Sequence, residues 1–201
     1  MTVVTCMSLI GPFIPPLLVF PRKNFKEELM SGSPPGSSHA CHPSGWIQSE
    51  IFFPVVSSFQ QTYKADKRRS CYLSTGRALF RHQEPGGHYL PPYSSHKKQP
   101  LDKAFMGPMK IFCCQEIEKW LRSHPGRFVA IYQTGELFDN AYERAATGEI
   151  AVNGFRATGL FPCDKNIFRP YDFPLSSEGK CCSCEPSCFD KDQRSAIIQF
   201  C

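Results

Sequence analysis

The side chains of this chain that could do chemistry are concentrated in its middle. Residues 61–110 hold ten Lys or Arg against three Asp or Glu, a balance of +7. Residues 1–60 balance at zero (three against three) and residues 111–201 carry −2 (ten against twelve). Lys67, Arg68 and Arg69 form one basic run, Lys97 and Lys98 a second, and Lys103 and Lys110 follow. Binding a polyanion needs only positive charge laid along phosphates, with no reading of bases. Solvated lysines on an exposed loop account for the same pattern. Asp102 is the only acid between residues 90 and 110. By position it is an N-terminal acid on a helix expected from about Ala104, where it favours the helix dipole. His96 follows Ser94 and Ser95, but neighbours in sequence are not a catalytic triad and no acid is placed to orient the ring. It reads as a loop residue. Cys181, Cys182, Cys184 and Cys188 lack the two spaced pairs of a tetrahedral zinc site, so no zinc is expected there.

Elements must position these groups, and the composition allows them. At 201 residues the chain suits one core, and 41% hydrophobic with 13% aromatic residues is globular rather than disordered composition. Eighteen prolines and fourteen glycines predict many breaks between short elements. Eleven cysteines, an odd number at irregular spacing, argue for reduced thiols rather than a disulfide framework. The uncharged first twenty residues have no basic flank and carry Pro12, Pro15 and Pro16 inside the apolar run. They predict neither a signal peptide nor a membrane span, and no membrane partner is expected.

Thr2–Met7 and Leu17–Phe20 read as two strands joined by a turn at Leu9–Pro12, followed by a loop from Ser31 to Ser38. Ile47, Ile51, Val55 and Phe59 recur at helical spacing, with Pro54 interrupting the run. Residues 66–89 fit neither template. After Asp102, Phe105, Met109, Phe112, Ile117, Trp120 and Leu121 predict a helix ending near His124-Pro125-Gly126. A second helix is expected from about Phe128 to Ala146, with Leu137, Phe138, Ala141, Tyr142 and Ala145 facing the core. A third is expected around Ile150–Arg156, capped by Thr147. Neither of these last two groups base-reading side chains at its start, so the pair reads as packing rather than a helix-turn-helix.

Several motifs in order resemble the pogo/Tigger-type transposases of the DDE superfamily endonucleases. Val3–Lys23 is similar to that family's paired strands, and Pro34-Pro35-Gly36-Ser37 with Ser44-Gly45-Trp46 to the following loop and helix entry. Leu90–Lys110, including Gln99-Pro100-Leu101-Asp102, resembles the block carrying its last catalytic acid. Gln115–Leu121 with His124–Arg127 resembles its next helix and turn, and Asn153–Pro162 its closing motif.

The resemblance implies an α/β, RNase H-like fold, here incomplete: a mixed sheet remnant plus C-terminal helices. Residues 1–173 would be a partial DDE domain and 174–201 a Cys-rich disordered tail. Family chemistry is phosphodiester hydrolysis and strand transfer, with paired Mg²⁺ or Mn²⁺ ions held by three acids. Asp102 matches the third, both as catalytic residue and as metal ligand. The first family acid lies on a strand ahead of the matching residues. The second sits in an Asp-Gly-His motif that is absent between Tyr63 and Asp102. Asp66, among Lys64, Lys67, Arg68 and Arg69, has no apolar strand behind it and is no substitute. Back-translated and read in another frame, Leu73–His88 can give Tyr-Leu-Leu-Asp-Gly-His, so a frameshift over 74–88 accounts for the missing motif.

The expectation is a catalytically inactive, transposase-derived domain without cofactor. It would keep weak, electrostatic binding to DNA through Lys67, Arg68, Arg69, Lys97, Lys98 and Lys103, and reside in the nucleus. The loss of the first and central strands predicts unpaired sheet edges. Two rivals remain: a domesticated module docking a protein partner through its C-terminal helices, and a weak Mg²⁺- or Mn²⁺-dependent DNA endonuclease.

Overall fold

A computed structural model describes residues 1–9, 11–48, 50–51, 72–75, 78–81, 87–89, 95–164, 166–169 and 197–199. The helix expected around Ile47–Phe59 falls mainly outside them, with only residues 50–51 seen as helical. Described elements form a mixed α/β structure. Strands β1 (Thr2–Ser8) and β2 (Phe13–Phe20) are an antiparallel hairpin, and β3 (Ser38–Cys41) pairs parallel with β2.

All seven residues of β1 are buried. Its β-branched and apolar sequence is what a strand covered on both faces requires. β2 begins at Phe13, four residues before the Leu17 start read from sequence, and runs through Pro15 and Pro16. The register explains how. Val4 pairs with Leu17 and Cys6 with Ile14, so β2 spends three steps where β1 spends two. The extra residue is a bulge, a place where a strand tolerates proline.

Residues 66–89 depart from expectation more. Three short strands, β4 (Tyr72–Thr75), β5 (Ala78–Arg81) and β6 (Gly87–Tyr89), continue the sheet in the order β3-β2-β1-β4-β5-β6. β4 pairs antiparallel with the end of β1 at Met7 and Ser8. From the expected tail, β7 (Ile197–Gln199) pairs antiparallel with the start of β1, Thr2 against Gln199. The free side of β1, predicted to be an open edge, is thus covered in tandem by β7 and β4.

One face of the hairpin carries a single turn α1 (Ser95–Lys98), then α2 (Met106–Ser123), α3 (Thr134–Ala145) and α4 (Gly148–Ala157), while helical Ile51 packs with Val4, Leu17 and Val19 on the other. α3 starts later than the expected Phe128, and Phe128 itself is 82% exposed. The Leu137, Phe138, Ala141, Tyr142 and Ala145 face is buried as its spacing predicted. Thr147 caps α4, its hydroxyl accepting from the Ile150 N–H at 3.3 Å. The core joins Val3, Met7, Leu18 and Phe20 of the hairpin to Phe105, Met109, Phe138 and Phe155 of the helical layer. Tyr142 crosses between them, donating its hydroxyl to the Ile14 carbonyl at 3.0 Å beside the bulge.

Candidate nucleic-acid and metal site

Asp102 lies in a π-helical turn, Leu101–Phe105, that opens α2 and was not foreseen from the sequence. The Met106 N–H donates to the Leu101 carbonyl, five residues back. Pro108 supplies a reason. In a regular helix its ring would press on the carbonyl of Ala104, four residues earlier, and it has no N–H to offer. A widened turn just ahead takes up that conflict, and such turns recur at functional sites.

The turn is pinned from two sides. Leu101 and Phe105 are fully buried, with the Phe105 ring 4.9 Å from Phe13 and 6.2 Å from Tyr142. α4 presses in at Gly154, where a Cβ would come within 2.8 Å of Met7 Cε and 2.9 Å of the Pro100 carbonyl. Only glycine fits between those neighbours. Asp102 is left half-buried and Lys103 exposed.

Burial pushes the Asp102 carboxyl up to about 6, against the opposing pull of the Lys110 ammonium. Its Oδ2 is out of solvent and has no hydrogen-bond partner among the described residues. Three residues earlier Gln99 is fully buried, and among the described residues neither its Oε1 nor its Nε2 has a partner. Both belong to one helical turn, since the Lys103 N–H donates to the Gln99 carbonyl at 3.0 Å.

This donor set does not fit Mg²⁺ or Mn²⁺. Such ions want several hard oxygen ligands, most of them ionised. Among the described residues, no group of three or more His, Cys, Asp or Glu could hold a metal ion. Asp102 alone, half-protonated near pH 6, offers a single weak ligand.

The cations divide. Lys103 and Lys110 are exposed. Lys97 and Lys98 are half-buried in α1 and its end, and the Lys98 ammonium lies 6.0 Å from the Phe168 ring centre, over its face. Lys67, Arg68, Arg69, Asp66, Ser94 and the cysteines from 181 to 188 lie outside the described residues. His96 sits in the α1 turn rather than in a loop.

A buried acid that the sequence reading missed is Glu116, 8% exposed where α2 meets α3. Arg144 donates to its Oε1 at 3.2 Å and to Gln115 Oε1 at 2.9 Å, while its guanidinium carbon stands 4.1 Å from the Phe112 ring centre. Lys119 reaches the other oxygen at 3.4 Å. The period Met109, Cys113, Glu116 carried the signal, since it places the acid on the buried stripe.

No family model and no solved structure matches the chain. It is 24% identical over 182 residues, 83% of its length, to the MFS-type transporter clz9 of Cochliobolus lunatus. The chain spans about a fifth of that protein, 19%. Among the described residues, no helix is long and apolar enough to cross a membrane.

Proposed function

We propose that the chain is a degenerate DDE endonuclease domain of pogo/Tigger type, with an incomplete RNase H-like sheet. In this reading it does not cleave DNA and keeps weak, salt-sensitive binding to it in the nucleus. The observation that carries the reading is the state of Asp102. An acid that helped hold two ions would need ionised oxygen donors around it. Among the described residues, Asp102 has instead a carboxyl raised by burial, an oxygen without partners and a lysine as its charged neighbour.

Exposed Lys103 and Lys110 beside it support contact with phosphates, which asks for charge and reach alone. The mixed sheet, an antiparallel hairpin with a parallel third strand, and the helices packed on it lend support to the RNase H-like part of this reading. Plasmid DNA incubated with Mg²⁺ or Mn²⁺ tests the proposal. Unchanged supercoiled substrate is the expected result. Nicking that disappears in Asp102→Ala would establish a surviving nuclease.

A second reading has its own support. Ile111 is 57%, Leu121 41% and Phe128 82% exposed, apolar surface on α2 and its following turn that a protein partner could cover. DNA binding indifferent to added salt would favour that module.

A further inference from the structure

One surface aromatic lies apart from the packing described so far. Phe25 is 36% exposed and belongs neither to the core nor to the smaller cluster around Val4, Leu17 and Val19. Its ring lies flat on that of His39, itself exposed, with centroids 3.6 Å apart and planes 10° from parallel. Stacking occupies one face of each ring and leaves the other for a third planar group.

The stack sits at a distinctive place in the fold. β2 and β3 run parallel, so their carboxyl ends, Phe20 and Cys41, lie side by side. The loops that leave them are tied together at once: the Phe20 carbonyl accepts from the Arg22 N–H at 2.8 Å and from the His42 N–H at 3.1 Å. In open α/β sheets, ligands bind outside the carboxyl ends of parallel strands.

The charges there are positive. A period of two puts His39 and Cys41 on one face of β3. Arg22 is on that face too, since burial raises the Cys41 thiol while the Arg22 guanidinium opposes the rise. The same guanidinium lies over the Tyr132 ring, 5.1 Å from its centre. Lys23 and Lys26 are exposed on either side of Phe25 in the chain. Among the described residues none of these three cations is in an ion pair, not even with Glu27 and Glu28, the only acids between residues 21 and 46.

We infer that the Phe25–His39 stack is a platform for an unpaired base of single-stranded DNA, with Arg22 and the flanking lysines on the adjoining phosphates. The inference rests on the DNA-binding reading above and deepens it by naming an unpaired strand as what this end of the sheet takes. Every base has a π face, so stacking needs no particular sequence, and the cations supply what the sugar–phosphate chain requires.

The full chain is titrated at low salt with a labelled single-stranded oligonucleotide of mixed sequence, an abasic strand of equal length, and a duplex. The parent is expected to bind the natural strand about fivefold or more tighter than the abasic one. Phe25→Ala should erase that difference and His39→Ala should reduce it, with thermal melts reporting that both are folded. Phe25→Trp should keep it and lose emission as the natural strand is added, beyond any change in the parent. A parent that binds natural and abasic strands equally overturns the inference without recourse to any variant, as does a Phe25→Ala protein that still tells them apart. Duplex binding that weakens with salt leaves the broader reading standing in either case. A parent that binds none of the three overturns that reading itself.

Discussion

Polar groups are buried at both ends of α2, and the two ends treat them in opposite ways. Around Glu116 each carboxylate oxygen has a cation, and the guanidinium that serves one of them also covers an aromatic face. Around Gln99 and Asp102 an amide and a carboxylate oxygen are withdrawn from water and have no partner among the described residues. The first arrangement has a structural explanation: it joins α2 to α3. The second costs stability and returns none, because a buried polar group without a partner forfeits its hydration. The same deficit occurs at Thr5, Ser33, Ser37 and Asp139. Here it falls on the one acid that the family resemblance selects.

That contrast can be broken at three points. The largest effect is expected from Gln99→Met, which keeps the volume and removes two orphaned atoms. It should stabilise the fold by about 1–3 kcal/mol, several degrees in a thermal melt. Destabilisation would mean that the amide has a partner after all.

Asp102→Asn comes next, and its effect depends on pH. Unfolded, the carboxyl ionises at its ordinary value of 3.8; folded, it keeps its proton up to about 6. Between these values the folded state holds more protons, so stability falls as pH rises through the window. The rise in pKa corresponds to at most ~3 kcal/mol, and solvent reaching the half-buried side chain reduces it to about 1–2 kcal/mol. Asp102→Asn should therefore exceed the parent in stability at neutral pH, with the gap closing below about pH 4. Denaturant titrations at several pH values measure both, and a gap constant with pH would disprove the assignment.

At the satisfied end, a double-mutant cycle on Glu116 and Arg144 should give a coupling of about 0.5–1 kcal/mol, modest because the arginine side chain is 45% exposed. Zero coupling would place these charges with ordinary surface pairs.

The sequence made the helical layer legible because its period is long and repeated. Phe138, Ala141, Tyr142 and Ala145 fall on one stripe, and the Thr147 cap announces α4 by its chemistry. The start of α3 was misplaced because Phe128 is apolar yet exposed, and one such residue extends an apparent stripe past the helix's true end. β4, β5 and β6 escaped notice because three or four residues are too few to display alternation. Their pairing is set by β1, a long-range partner that no local window contains. Pro15 and Pro16 hid the first half of β2 for a related reason, since only the register shows the bulge that admits them.

The motif resemblance singled out Asp102, but the sequence did not show its setting. Gln99 gave no warning at all, because amide side chains are ordinarily found on surfaces. The π turn depends on how Pro108 is accommodated, a matter of backbone geometry rather than of residue pattern.

One pairing has a practical corollary. Because Thr2 stands opposite Gln199 across a ladder, segments almost two hundred positions apart in the chain lie side by side. One probe on each strand would therefore give a short-distance signal that is lost as soon as β7 leaves β1, even while the helical layer stays intact.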